Sequence, residues 1–182
     1  NSDYSSVHGY GTFIKYEETV GKFIIGGRYN LNEYKADSAC KRLIMFSNSY
    51  SVLFFSVHRS KIFKKTYKNI EKLPIYPALF EEILPTFMSA LLGKSKKLDC
   101  LYLLRGISTV RYRQSKLAEK LSDSGWSNSL KIFINTLSEE LRSLDGIDEI
   151  ESIEIVKQDF ADYLEQILKK EKDTLSDKFK QS

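Results

Sequence analysis

Residues 11–27 read GTFIKYEETVGKFIIGG. Two runs rich in aromatic and β-branched residues, Thr12 to Tyr16 and Lys22 to Ile25, flank a short polar turn that ends at Gly21. That spacing predicts an antiparallel hairpin, with Gly26-Gly27 breaking the second strand. Reading onward, KRLIMFSNSYSVLFFSVH (41–58) sets two apolar segments on either side of Ser47-Asn48-Ser49. It is read as a second pair of strands covered by another layer. The first third of the chain is thus expected to be a small antiparallel sheet of about four strands.

From residue 77 the period changes. Leu79, Phe80, Ile83, Leu84, Phe87, Met88 and Leu91 recur at helical spacing, Gly93 is placed as a stop, and Pro85 predicts a kink or two shorter helices. Leu98 to Leu104 and Gln114 to Leu121 are short helix candidates. Leu130, Phe133, Ile134, Leu137, Leu141 and Leu144 form an amphipathic stripe closed by Asp145-Gly146. The alternation in Ile147 to Val156 reads as a strand returning to the sheet. Phe160, Tyr163, Leu164, Ile167 and Leu168 then line a C-terminal helix. Strands first and helices after predict an α+β class: an N-terminal small antiparallel β-sheet followed by a C-terminal helical bundle-like region. The chain is read as one domain over 1–182, with a β-rich lobe at 9–72 and a mainly helical one at 77–182.

Composition narrows the function. At 182 residues and 42% hydrophobic, the chain can build its own apolar core without a disulfide scaffold. Twenty-eight basic against 24 acidic residues give +4, an excess that matters only where the positive charge gathers in space. Cys40 and Cys100 have no CxxC spacing and no neighbouring histidine, so they read first as buried thiols in a reducing compartment and second as a single long-range disulfide. No apolar run approaches the roughly 20 residues that span a bilayer, and no signal peptide is visible. The expectation is a soluble intracellular protein, cytoplasmic or nuclear, without membrane insertion.

Known catalytic patterns are missing. There is no P-loop, HExxH or GxSxG, and no cofactor, metal or catalytic residue is assigned. Glu33-Tyr34-Lys35, with Glu17 or Glu18, has the carboxylate and lysine spacing of a metal-dependent nuclease, the third-ranked function. A Cys40–His58 pair is weighed as a nucleophile and set aside in favour of a core cysteine.

Two basic segments suggest DNA or RNA. HRSKIFKKTYKNIEK (58–72) interleaves Arg59, Lys61, Lys64, Lys65 and Lys68 with Phe63 and Tyr67, a mixture suited to phosphate contact and base stacking. RYRQSKLAEKLSDSGWSNSLKIF (111–133) resembles a helix-turn-helix in outline. Arg105, Arg111, Arg113, Lys116 and Lys120 would track the backbone while Asn128, Ser129 and Lys131 face the groove. Its connector, SDSGWS, is long for the motif, Glu139 and Glu140 would repel phosphate, and Trp126 suits a core anchor. The segment is therefore read first as a structural corner and second as a nucleic-acid reader.

The leading expectation is a non-enzymatic binding or regulatory protein that acts through protein–protein contact as a subunit of a larger assembly. A protein partner or self-association is assigned to the C-terminal helix, through Phe160, Tyr163, Leu164, Ile167, Leu168, Leu175 and Phe179.

Overall fold

The computed structural model describes residues 3–29, 31–71, 73, 78–107, 121–122 and 124–180; of 69, 78 and 170–180 it describes the backbone only. The elements are β1 (Tyr4–Glu17), β2 (Lys22–Tyr29), α1 (Ala39–Asn48), a 3-10 turn (Leu53–Phe55), β3 (Val57–His58), α2 (Ser60–Ile70), α3 (Ala78–Leu92), β4 (Lys94–Gly106), α4 (Trp126–Asp145) and α5 (Glu149–Lys180). The fold is α+β, with the hairpin leading and helices closing the chain. Among the described residues the sheet has four strands. β1 is its axis: β2 pairs antiparallel with its far half, β3 antiparallel at Ser6 and Val7, and β4 runs parallel along its other edge.

The expected hairpin forms, with Glu17 opposite Lys22, and β2 continues through the glycines to Tyr29. Between the pairs Thr12↔Arg28 and Ile14↔Ile25, β1 advances two residues and β2 three. Gly26 and Gly27 absorb the extra residue as a bulge. Thr12 Oγ1 lies 3.2 Å from both glycine carbonyls and fastens it.

Three expected elements change type, and the second strand expected in 41–58 survives only as Val57–His58, after the 3-10 turn Leu53–Phe55. Residues 41–48 are helix because Ser38 caps α1, accepting from Lys41 N at 3.2 Å, and because Ala39, Leu43 and Phe46 then face inward together. Asp145, at the end of α4, adds a second cap by accepting from Ala39 N (2.9 Å) and Cys40 N (2.7 Å). Leu98 to Leu104 is strand, recruited along β1. Ile147 to Val156 enters a helix in which Ser152, Val156, Phe160 and Tyr163 are buried one or two turns apart, and Asp148 accepts from Glu151 N at 2.9 Å. Pro85 lies inside one continuous α3.

The apolar core is mainly helical. Phe87 sits at its centre, with ring centroids 4.9 Å from Phe46, 5.2 Å from Phe133 and 5.5 Å from Tyr163, all near edge-to-face. Trp126 packs 4.9 Å from Phe80 and anchors the start of α4. The inner end of the sheet uses small residues instead. Gly93 has Ser5 N only 2.9 Å from where a Cβ would sit, so the joint between α3 and β4 admits no side chain. Arg42 is buried beside that joint and donates to the carbonyls of Ala90 (3.1 Å), Leu91 (2.7 Å), Ala36 (3.0 Å) and Asp37 (2.6 Å).

Replacing Arg42 with Met keeps the apolar stem and removes all four donors. Urea unfolding is expected to show a loss of about 3 kcal/mol. A loss under about 1 kcal/mol, within the range of one ordinary hydrogen bond, would show the clamp to be dispensable.

Asp159 supplies a second test. It is 3% exposed, takes a 3.3 Å hydrogen bond from Ser47 Oγ, and its Oδ2 has no partner among the described residues. Burial, aided by the neighbouring charge of Asp162, pushes its carboxyl up to about 7. The folded chain therefore holds a proton that the unfolded chain releases near pH 4, and this contribution is full below that pH and lost as pH rises through 7. Asp159→Asn is expected to gain on the parent across this window, by on the order of 4 kcal/mol above pH 7. Unfolding series at several pH values give the difference, and a pH-independent one would remove Asp159 as its cause.

Candidate functional site

The far half of β1, with β2 and the end of β4, stands clear of the helices as a three-stranded apron. Paired residues share a face, so the register sorts its side chains. Ile14 pairs with Ile25, Tyr16 with Phe23, and Thr12 with both Leu104 and Arg28, which gathers Ile14, Tyr16, Phe23, Ile25 and Leu104 on one face with Arg28 at its inner border. Phe23 and Ile25 are 68% and 73% exposed, and Tyr16 and Leu104 are each more than half exposed. The Tyr16 and Phe23 rings lie 5.1 Å apart. The opposite face is amphipathic: Phe13 and Tyr29 meet edge-on at 5.5 Å, Arg105 lies 4.8 Å over Tyr29, and Lys15 pairs with Glu17 at 2.8 Å.

The basic residues divide between two places. Arg59 opens α2, with Nε donating to Tyr4 O at 2.5 Å and its backbone N to Ser5 O at 3.0 Å. Lys61 and Lys64 are exposed on α2, and Lys65 pairs with Glu140 at 2.6 Å. Arg105 pairs with Phe13, whereas His58 beside α2 pairs with Ser6. Seven residues of strand, about 23 Å, separate those positions, so the structure does not bring Arg105 and the α2 lysines together.

The helix-turn-helix residues fare unevenly. Arg111, Arg113, Lys116 and Lys120 lie outside the described residues. Asn128 and Lys131 are exposed near the start of α4, but Ser129 is fully buried and unavailable to a base. With Trp126 seated against Phe80, the described part of the segment acts as a corner of the core.

The C-terminal helix turns the first part of its expected interface inward. Phe160 and Tyr163 belong to the core, Leu164 and Ile167 pack partly against it, and Leu168 is exposed. The side chains of Leu175 and Phe179 lie outside the described set. An interface using Phe160 and Tyr163 would have to open the core.

The chemistry-bearing groups stay apart. Glu33 binds Lys35 at 2.6 Å and accepts from Lys97 N at 3.1 Å, contacts that hold its carboxyl below the usual range, the Lys35 bond most. Glu17 sits at the hairpin end of β1, far along the strand from Glu33 and the His8 region. Among the described residues no three acids, histidines or cysteines gather to hold a metal ion. His8 Nε2 lies 3.0 Å from Asn32 O, and His58 Nε2 lies 2.8 Å from Leu53 O. Cys40 is half-buried on α1, where burial and then the charge of Asp159 raise its thiol, disfavouring the thiolate. Cys100 is exposed on β4, not buried as its sequence setting suggests, and neither cysteine is bonded to the other.

No helix among the described residues is long and apolar enough to cross a membrane. Comparison of the chain with protein families, curated proteins and solved structures finds no match. Reading Leu98 to Leu104 as helix hides the apron in the sequence, because β4 is one of its three strands. The short, β-rich apolar run bounded by Arg105-Gly106 is the signal that favours strand.

Proposed function

We propose that the protein is a non-enzymatic binding protein that docks a partner protein on the apron and works as a regulatory subunit of a larger assembly. One observation carries this reading: Ile14, Tyr16, Phe23, Ile25 and Leu104 form an apolar patch, with Arg28 at its inner border, on a paired, hydrogen-bonded sheet, and no described element covers it. Scattered exposed apolar residues are ordinary on protein surfaces, but a contiguous group on one rigid face marks an interaction site. A sheet face also loses little conformational entropy on docking, because its backbone is already fixed. The occupant that suits it is another protein surface of apolar, aromatic character, from a second copy or a different chain. The reading includes an intracellular setting, supported by the free thiols of Cys40 and Cys100.

Photo-crosslinking tests it in the native cell background. A photoreactive residue replacing Phe23 or Ile25 is expected to give an adduct of discrete mass, whereas the same group replacing Lys157, exposed on α5, gives none. Phe23→Ser combined with Ile25→Ser is expected to abolish adducts formed from a photoreactive residue at Leu104. Its stability should change by less than about 1 kcal/mol, since both side chains are already in water. Absence of adducts at both apron positions would overturn the reading.

A further inference from the structure

We infer that α2 and the adjoining 3-10 turn form a binding surface for single-stranded nucleic acid. Going round α2 at its helical period, Ile62 and Thr66 face the body and Phe63 and Tyr67 occupy the next sector. Lys61, Lys64 and Lys68 form the crest farthest from the core, and Lys65 lies on the flank nearer the body, where it meets Glu140. Thr66 is buried and all four lysines are exposed, as this arrangement requires. The residues of α2 include no acid, and among the described residues only Lys65 of its lysines has an ion-pair partner, Glu140.

The rings form a strip beside that crest. Phe63 and Tyr67 lie 4.2 Å apart with planes at 33°, Phe54 stands 6.3 Å from Tyr67, and Phe55 meets Phe54 edge-on at 5.5 Å. Phe54 is 49% exposed and Phe63 41%, so both rings reach solvent while touching neighbouring rings. Beyond the crest, a basic cavity of about 700 Å³ is lined by His58, Arg59, Lys61, Ile62, Lys65 and Leu92. Burial lowers the His58 pKa, so the positive charge there comes from the lysines and arginine.

Aromatic platforms flanked by cations suit single strands, whose bases expose π-faces and whose phosphates are regularly spaced. The lysines recur one helical turn, about 5.4 Å, apart and run parallel to the ring strip. One strand can therefore lay its bases on the rings and its backbone on the crest. The order of the sectors disfavours a bilayer. A flat membrane would meet the lysine crest first and immerse those charges before reaching the rings on the flank, the reverse of an interfacial helix. A duplex would hold its bases away from the rings.

The test is fluorescence anisotropy of the full chain with labelled uridine and thymidine homopolymers about 12 nucleotides long. Matched duplexes and phosphatidylserine-containing vesicles serve as the competing surfaces. Single strands are expected to bind best, and affinity should fall steeply between about 50 mM and 200 mM salt. Lys64→Ala and Lys68→Ala should each reduce the salt slope by about 0.7, the share of a single phosphate on a single strand. Phe54→Ala with Phe63→Ala should weaken single-strand binding about 10- to 100-fold while leaving the salt slope intact. Circular dichroism melting confirms that the variants fold, and the exposed lysine variants keep the test alive if a ring variant does not. Ring variants that bind normally would overturn the inference, showing a generic polyanion surface. So would a preference for vesicles or duplex, or no binding at low salt.

Discussion

The buried guanidinium of Arg42 sets the frame on which both surfaces stand. It reaches from α1 to the last carbonyls of α3 and to the loop before α1, giving hydrogen bonds to groups that a helix end leaves unpaired. Burial draws its pKa down, but the ordinary value of arginine is so high that the side chain stays charged, and Asp145 and Asp37 oppose the fall. A cation at a helix C-terminus also meets the negative end of the helix dipole. The end of α3 leads directly into β4 through Gly93, and Ser5 Oγ on β1 donates to Ser89 O at 2.8 Å. Lys94 N donates to Asp3 O at 2.8 Å. Fixing that helix end therefore fixes the parallel register of β4 against β1. Asp145 completes the frame from the other side, tying the end of α4 to the start of α1.

This frame divides the sheet into two chemical halves. At the inner end, β1 contributes Ser5, Ser6, Gly9 and Gly11, small residues that let the backbone approach its neighbours closely. A Cβ on Gly9 would collide with the Cys100 carbonyl. At the outer end the same strand carries Phe13, Ile14 and Tyr16, with β2 adding Phe23 and Ile25, beyond the reach of the helices. Transferring such a side chain from water to an apolar surface gains about 1.5–3 kcal/mol. Several on one face would give a docking partner a driving force. The helical core does not need them: Phe46, Phe80, Phe87, Phe133 and Phe160 already fill it.

How much of this is written locally varies by element. The hairpin, α3 and the stripe of α4 are legible because turn chemistry and period agree there. Residues 41–48 are rich in strand formers, but Ser38 and the distant Asp145 supply caps that tip the balance, and only the first of these is local. The alternation of Ile147 to Val156 conceals a better signal: Asp148 followed three residues later by Glu151 is an N-terminal helix signature. Leu98 to Leu104 carries an apolar run too short for period to decide, so the pairing with β1 decides it. The α2 residues are visible in the sequence as basic and aromatic, whereas the sorting into crest and strip depends on which helix face the core takes. The inward turn of Phe160 and Tyr163 likewise depends on the ring cluster around Phe87.

The two surfaces lie at opposite ends of one strand. β1 has 14 residues, about 46 Å of extended chain, with β3 and α2 attached near its start and the apron at its end. A ligand along α2 and a protein on the apron would thus occupy separate stretches of β1. They are nevertheless joined by a paired strand, not a flexible linker, so docking at one end would hold the other in a defined direction. That geometry suits a subunit that fixes an anionic strand relative to a protein assembly. Each surface can also be altered alone, because Arg42 and the helical core that hold β1 in place belong to neither.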